Sequence, residues 1–492
     1  MNTAILFDTM SIQQYVFGSN KLRDNLGASH IVEHIYKYLE KKAEANPNEL
    51  DIGYIGGGNA LFYTTTEIKA KEIVKEYTSW LLHTYPGVSV AVAINDKFSK
   101  TDNDYKNKLS NLFSELNANK GKYIPINTIP SHGITTTCQF SSLSVEVIER
   151  NPENSFDQMS SLTASKRLNE AEARKDEQSL LVSDILKEYK FPDKLDELGQ
   201  RKGEDSHIAV VHIDGNGFGK IFRELNSFKE TYNLSNQVKE AVREAFIYSL
   251  SEFVIAKKKN INLFEGYSYL GTILPIRPII LGGDDVTFVC HGKLGIWFAE
   301  KFMEKFNSNF IDRDKKIPFS SCAGVAIVKT KYPFYRAYQL AEELCSSAKK
   351  RNKDFGGNWI DFQLAYSGLG NTLEEVRKLQ FFDIKGSKSL HNRPYCLEKI
   401  GDQISIKELK TLASTLKITL PNSKIKDLRE ILTRDKDSQK VHIEHLKHQH
   451  DEDKGFNKSF CKNLSAEAIL EKYPFFDMIE LLELYPVTLI NE

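Results

Sequence analysis

At 492 residues the chain exceeds one ordinary domain and has room for two to four, each burying its own core. Its 41% hydrophobic and 27% charged fractions are those of a soluble globular chain, and 66 basic against 66 acidic residues exclude a global pull toward nucleic acid or anionic membrane. No apolar run reaches about 18 residues, Asp8 interrupts the first apolar stretch, and the 6 cysteines lack CxxC spacing; these features predict a cytoplasmic chain with free thiols and no membrane partner.

Taken in chain order, "TAILFD" (3–8) reads as a buried strand. A helix is predicted from about Gly27, with Ile31, Val32, Ile35, Tyr36 and Leu39 on one face. "LDIGYI" and "NALFYTT" follow as two strands joined by Gly56, Gly57 and Gly58, where glycine supplies the positive φ of a tight hairpin. A second helix (about 67–84) and the strand "VSVAVAI" (88–94) complete a βαββαβ order, the ferredoxin-like arrangement with helices covering one face of an antiparallel sheet.

Between residues 111 and 204 the pattern weakens to helical and irregular sequence. The charged "ASKRLNEAEARK" within it reads as a solvated helix face or a contact surface for RNA or a partner.

From residue 207 the order returns, larger: "HIAVVHID", the glycine-rich "GNGFGKIF", a helix with Val238, Val242, Phe246 and Leu250 on one stripe, then "RPIIL", the turn "GGDD" and "VTFVC". A helix with Leu294, Trp297, Phe298 and Phe302, the strand "SSCAGVAIV", a helix ending "AEELCSSAKK" and a short strand "WIDFQLA" close the unit. The tail from about 385 to 492 has helical periodicity, with Leu409, Leu412, Leu416 and Ile418, and holds four histidines between 442 and 450. That stretch reads as an exposed helix or loop rather than a metal site.

The two repeated units share an aspartate at the end of the first strand, Asp8 and Asp214, and differ at the hairpin tip. The second has Asp284 and Asp285 where the first has Gly58 and Asn59. Isolated, GGDD is a good hairpin turn for local reasons. Beside Asp214 in a neighbouring strand it becomes a cluster of three carboxylates, which needs a cation, and hard oxygen ligands select two Mg²⁺ or Mn²⁺ ions. Two such ions suit phosphoryl transfer.

Gly215, Asn216, Gly217, Phe218 and Gly219 after Asp214 form a loop whose N–H groups can approach a polyphosphate, with Gly282 and Gly283 opposite. Lys349 is either a point charge for a β- or γ-phosphate or a solvated helix-end cation. Asp8, without partners, reads as structural.

These residues resemble a known family. The second unit looks like the palm of nucleotidyl cyclases and family-B-like polymerases with GGDD or GGDEF turns. The chain as a whole is similar to the large palm-domain subunit of type III CRISPR effector complexes. The motifs that carry the likeness are "IQQYVFGSNKLRDNLGASHIVEHI" and "YIGGGNALFY" in the first palm, and "HIDGNGFGKIF", "LGGDDVTF", "AGVAIVKTKYPFYRAYQLAEELCSSAKK" and "HNRPYCLEKI" in and beyond the second.

The resemblance implies an α+β multidomain fold: a first palm (1–110), a helical and irregular linker domain (111–204), a second palm with GGDD (205–375) and a C-terminal helical domain (376–492). It implies that ATP is joined into cyclic oligoadenylates, with Asp214, Asp284 and Asp285 as catalytic and metal-binding residues. It also implies CRISPR RNA or target RNA and sister effector subunits as partners. Ser29, Gly57, Gly58 and Asn59 would then face the cleft from the first palm as an acceptor pocket, although Ser29 is equally read as a helix N-cap.

Two departures stand out. Members of the family often begin with a histidine-aspartate nuclease domain, whereas this chain opens on the first palm; the one His-Asp doublet, His450-Asp451, lies in the C-terminal histidine-rich stretch, so such a nuclease is not expected. Members often carry a four-cysteine zinc site between the palms; here "HGITTTCQFSSLSVE" keeps Cys138 alone, with Ser141 near a second position, and the zinc reads as lost. A non-catalytic RNA- and subunit-binding scaffold and a diguanylate-cyclase-like enzyme are the alternative readings.

Overall fold

The computed structural model describes residues 2–56, 58–122, 128, 130–151, 154–198, 206–259, 271–311, 316–365, 372–381, 389–448, 455–461 and 464–485. Strand β1 (Thr3–Met10) is buried along most of its length because both faces of its sheet are covered. It is followed by α1 (Ile12–Phe17), α2 (Leu22–Glu33), α3 (Lys37–Ala45), β2 (Leu50–Gly56), β3 (Asn59–Thr64), α4 (Glu67–Thr84), β4 (Ser89–Asn95) and α5 (Tyr105–Lys120). The sheet runs β2-β3-β1-β4, and every pair is antiparallel.

One face, through Ile5, Phe7, Ala60 and Phe62, packs with Ile31, Leu39, Ile73 and Tyr77 of the helices. The other face carries Ala4, Leu6, Leu61 and Ala93 and is covered by Leu109, Leu112 and Leu116 of α5. The expectation of helices on one face only is thus corrected, and a boundary at residue 110 would cut α5 in two.

The single helix predicted from Gly27 is instead two. Helix α2 starts earlier, and the chain turns at His34–Tyr36 before α3. His34 directs both its backbone N–H and its Nδ1 at the His30 carbonyl (3.0 Å each), while buried Tyr36 donates its hydroxyl to Gly58 O at 3.0 Å and meets Thr9 Oγ1 at 3.1 Å. A buried phenol needs such partners, and β1 and the β2–β3 tip provide them.

The hairpin β5 (Val147–Arg150) and β6 (Phe156–Met159) leads to α6 (Ser161–Leu168) and α7 (Glu170–Gln178). The solvated-face reading of "ASKRLNEAEARK" does not hold for α6. Lys166 is 2% exposed and donates to Tyr15 O, and Arg167 pairs with Asp24 at 3.0 Å and with Asp157 at 2.5 Å. A Cβ at Gly27 would stand 1.8 Å from Lys166 O, so α2 and α6 cross in backbone contact that glycine alone permits.

The second unit comprises β7 (His207–Gly215), α8 (Phe218–Arg223), α9 (Phe228–Lys259), β8 (Ile276–Gly282), β9 (Asp285–His291), α10 (Gly295–Asn307), β10 (Phe310–Ile311), β11 (Ile317–Pro318), β12 (Ser321–Lys329), α11 (Phe334–Phe355) and β13 (Trp359–Leu364). Its six-stranded sheet runs β14-β13-β12-β7-β9-β8, with β14 (Tyr395–Cys396) at the edge; β12 and β13 are parallel and the other pairs antiparallel. Ala209, Val211 and Ile213 face α9 and α10, whereas Ile208 and Val210 join the core of the first unit. Phe17 of α1 stacks on Tyr338 of α11 at 3.9 Å across that junction.

Helix α12 (Leu373–Gln380) precedes the C-terminal helices α13 (Ile406–Thr419), α14 (Asn422–Leu432), α15 (Lys436–His448), α16 (Ala466–Lys472) and α17 (Phe475–Leu484). Leu409 and Leu416 are buried as expected, but Ile418 is 81% exposed. Arg393 anchors this part: fully buried, it pairs with Asp477 at 2.9 Å and with Glu480, and donates to Phe362 O at 2.7 Å. The histidine-rich stretch is helical as far as His448, with Ile443 and Leu446 buried, and His450 lies outside the described residues. All six cysteines are free. Among the described residues no helix is long and apolar enough to cross a membrane.

Candidate functional site

Strand alternation decides which side chains of β7 share a face. His212 and Asp214 point one way, Val211 and Ile213 the other. In the antiparallel register Asp214 stands directly opposite Asp285, and His212 opposite Thr287. Helix α11 lies across this face because β12 carries Gly324, where a Cβ would be 2.0 Å from Ala341 O and 2.4 Å from Cys345 N. The close approach brings Lys349 into an ion pair with Asp214. The helix continues six residues past Lys349 to Phe355, so this lysine is not at a helix end.

The electrostatics of the cluster are unbalanced. Burial first, and then the Asp214 charge, push the Asp284 carboxyl up to about 6. Burial followed by Asp214 and Glu342 pushes Asp285 up to about 7. Burial works against the charge on Lys349, yet Asp214 raises it overall. His212 brings no counter-charge, because its burial lowers it below the ordinary imidazole range.

Asp285 Oδ1 is buried without a hydrogen-bond partner, with His212 Nδ1 3.3 Å away. An orphaned carboxylate oxygen beside two more carboxylates is a donor set that fits a hard divalent cation. The oxygens of the three aspartates are nevertheless not all within 4.8 Å of one another.

The loop after Asp214 is held from both sides. Gly215 N donates to Asp284 O at 3.0 Å, and Asn216 donates from its backbone to Ser320 O (2.7 Å) and from its side chain to Ser320 Oγ (2.8 Å) and Cys322 Sγ (3.4 Å). Asn216 is therefore a brace. Gly215 is a packing glycine, since a Cβ would lie 2.6 Å from the Phe218 ring and 2.8 Å from Asp284 Cβ. Phe218 is buried against Phe319 at 5.1 Å. At Gly217 (φ +78°), Gly219 and Gly282, by contrast, a Cβ would meet nothing within 4 Å, which leaves this side of the loop open.

A cavity of about 430 Å³ separates the two hairpin tips. Tyr54, Gly56 and Asn59 line it from the first unit, Leu109 and Phe113 from α5, and Phe218, Gly219, Gly283 and Asp284 from the second. Asp214, Asp285 and Lys349 do not line it. Gly58 (φ +78°) holds its tip by accepting from Thr9 N at 2.8 Å, and Gly57 lies outside the described residues.

Ser29 is separated from this cavity. It sits within α2 rather than at its N-cap and lines a different pocket with His30, His34 and Asp176. Asp8 pairs with Lys120 of α5 at 2.7 Å.

Sequence reasoning missed His212, Thr287 and Glu342. The first two were within reach of the period-2 rule, each lying two residues from a named aspartate. Glu342 lies seven residues, two helical turns, before Lys349.

Residues 207–355 match the family model described as Cas10/Cmr2, second palm domain. The second unit is thus a palm of the kind found in type III effector subunits, with a helix-flanked six-stranded sheet. Over 99% of its length the chain shares its fold with Csm1 from T. onnurineus, at 13% identity and a TM-score of 0.53, covering 69% of that chain. It likewise resembles a Csm1–Csm4 cassette in complex with pppApApA (13% identity, TM-score 0.57) and one in complex with cA4 (12%, 0.55), each with 99% of this chain and 69% of the other covered. No curated protein matches.

Proposed function

We propose that this chain is a nucleotidyltransferase that joins ATP and cyclises the product into cyclic oligoadenylates, acting in type III CRISPR-like antiviral defence. In this reading the two sheets are ferredoxin-like palms facing each other across the cavity, flanked by the insertion and the C-terminal helical domain. The observation that carries it is the Asp214–Asp285 register pair with Asp284 at the mouth of that cavity, an acidic cluster short of positive charge. Cassettes of the same fold have been crystallised with AMPPNP, with ATP and with cA4, which supports ATP as the substrate class.

Asp214, Asp284 and Asp285 would hold Mg²⁺ or Mn²⁺; when bound, such ions supply charge neutralisation for an attacking hydroxyl and a leaving pyrophosphate. The chain's own groups do the positioning. The open side of the Gly217–Gly219 turn receives the triphosphate, and Gly282 and Gly283 leave room for it on the opposing tip. Lys349, raised above its ordinary value and held on Asp214, contributes a fixed cation beside the phosphates.

Asn59 and the apolar wall from α5 would hold the second nucleotide, whose 3′- or 2′-hydroxyl attacks the α-phosphate. The cavity is of ordinary ligand size. Sister effector subunits and CRISPR or target RNA are the partners this reading assigns.

Incubation with each NTP and Mg²⁺ or Mn²⁺, with and without RNA, followed by mass spectrometry of products, tests it. Cyclic adenylates without RNA indicate a self-sufficient synthase, and RNA-dependent product an effector subunit. No product from any nucleotide leaves the scaffold reading.

A further inference from the structure

The pocket that contains Ser29 holds a second chemical constellation. His30, at the end of α2, and His34, one turn later, bring their rings to 4.2 Å between centroids, and Asp176 reaches them from α7. His30 Nδ1 lies 2.9 Å from Asp176 Oδ2, and His34 Nε2 lies 3.7 Å from the same oxygen. Among the described residues this is the one group of three or more His, Cys, Asp or Glu side chains whose ligand atoms all fall within 4.8 Å of one another. In a tetrahedral site with metal–ligand bonds of about 2.0–2.1 Å, neighbouring ligand atoms stand roughly 3.3 Å apart. The two observed spacings straddle that value.

The orientation of His34 is what separates this cluster from an ordinary surface ion pair. Its Nδ1 is 3.0 Å from the His30 carbonyl, an acceptor only, so Nδ1 carries the proton and donates. Nε2 is the nitrogen left facing the Asp176 carboxylate, so that, deprotonated, it offers its lone pair to a cation placed between them. A backbone carbonyl fixing the far nitrogen of a histidine is also how metal-ligating imidazoles are held. The side chains are 14%, 26% and 51% exposed, so an ion can enter from solvent. Glu33, on the same pocket wall, offers a further oxygen.

We propose that His30, His34 and Asp176 form a binding site for a borderline-soft divalent cation of the zinc class, which joins the first unit to the insertion. Two imidazoles with one carboxylate favour Zn²⁺ or Co²⁺ over Mg²⁺, which sets this site apart from the all-oxygen aspartate cluster. The histidine in the α2–α3 turn and the aspartate in α7 are 142 residues apart in sequence (176 − 34), so the ion would tether two segments that the chain connects only distantly. The inference does not depend on the proposed transferase activity.

The test uses the 492-residue chain in excess Mg²⁺, which saturates all-oxygen sites. His442, His445, His448 and His450 are replaced by Gln to remove the competing tail. Competition with a chromogenic chelator should show one equivalent of Zn²⁺ bound, and Co²⁺ should give the absorption bands of a tetrahedral site. Adding His34→Gln or Asp176→Asn should weaken Zn²⁺ binding more than tenfold and abolish those bands, with circular dichroism unchanged. A tail-replaced chain that binds no Zn²⁺, or a His34→Gln chain that binds it as tightly as its parent, overturns the site. Nucleotide turnover is not the readout, so failure here leaves the transferase reading standing, and the reverse.

Discussion

Asp285→Asn should make the protein more stable while ending its chemistry. The side chain is nearly isosteric, so packing is kept, but a carboxylate facing Asp214 and Glu342 is replaced by a neutral amide. Moving a carboxyl from 3.8 to about 7 corresponds, at about 1.4 kcal/mol per pH unit, to an upper figure of about 4 kcal/mol. Because the side chain is 37% exposed, solvent screening reduces this to on the order of 1 kcal/mol. For a unit of this size that is about 2–4 °C in melting temperature.

The sign follows from linkage. The folded chain binds this proton more tightly than the unfolded one, so wild-type stability falls as pH rises from about 4 to about 7. Asp284, raised to about 6, contributes in the same direction. The variant's advantage should therefore be full near pH 8 and vanish near pH 4. Melting curves at the two pH values, with and without Mg²⁺, measure it; added Mg²⁺ should raise the wild-type melting temperature and leave the variant's unchanged. An Asp285→Asn protein that melts below wild type at about pH 8, or whose gain is the same at both pH values, would refute the electrostatic account.

Replacing Asp284 and Asp285 together by Ala should abolish product in the mass-spectrometric assay while leaving the circular dichroism intact, since the turn glycines remain. Gly217→Val should strain a backbone at φ +78° by about 1–3 kcal/mol and cut turnover, though its side chain would touch no protein atom; unchanged turnover would count against the phosphate cradle. Gly324→Ala should drive α11 off the sheet and, by moving Lys349 from Asp214, cost both stability and activity; an unshifted thermal melt would contradict the close packing. Arg393→Met leaves Asp477 buried without its cation and Glu480 with Arg429 alone, at 3.5 Å, and should destabilise by about 3–5 kcal/mol in denaturant titration, most at neutral pH.

The aspartates of the candidate site were legible as neighbours because their signals are local: strand alternation, a Gly-Gly turn and an acidic pair each lie within a few residues, and the repeated order of units pairs β7 with β9. The packing glycines were legible as residues but not as roles. Gly215 and Gly324 look no different in sequence from Gly217, yet the first two are occupied by neighbours from elsewhere in the chain while the third faces open space.

Charge was the least reliable guide. "ASKRL" has the composition of a solvated helix, but α2 presents Gly27 and Asp24 to it and α1 the Tyr15 carbonyl, and the lysine and arginine are buried by that fit. Ser29 was expected to face the cleft and in fact lies in another pocket, because the α2 helix that carries it turns that side chain toward His30, His34 and Asp176.

What the sequence determined by itself was the order of the main strands of the two large sheets, the glycine hairpin tips and the three candidate carboxylates, all properties of chain neighbours. The tertiary structure alone decided the reach of Lys349 to Asp214, the cover of α5 on the first sheet and the meeting of His30 and His34 with Asp176. Each depends on contacts between segments tens to hundreds of residues apart, where backbone approach and burial, not local propensity, settle which side chains meet.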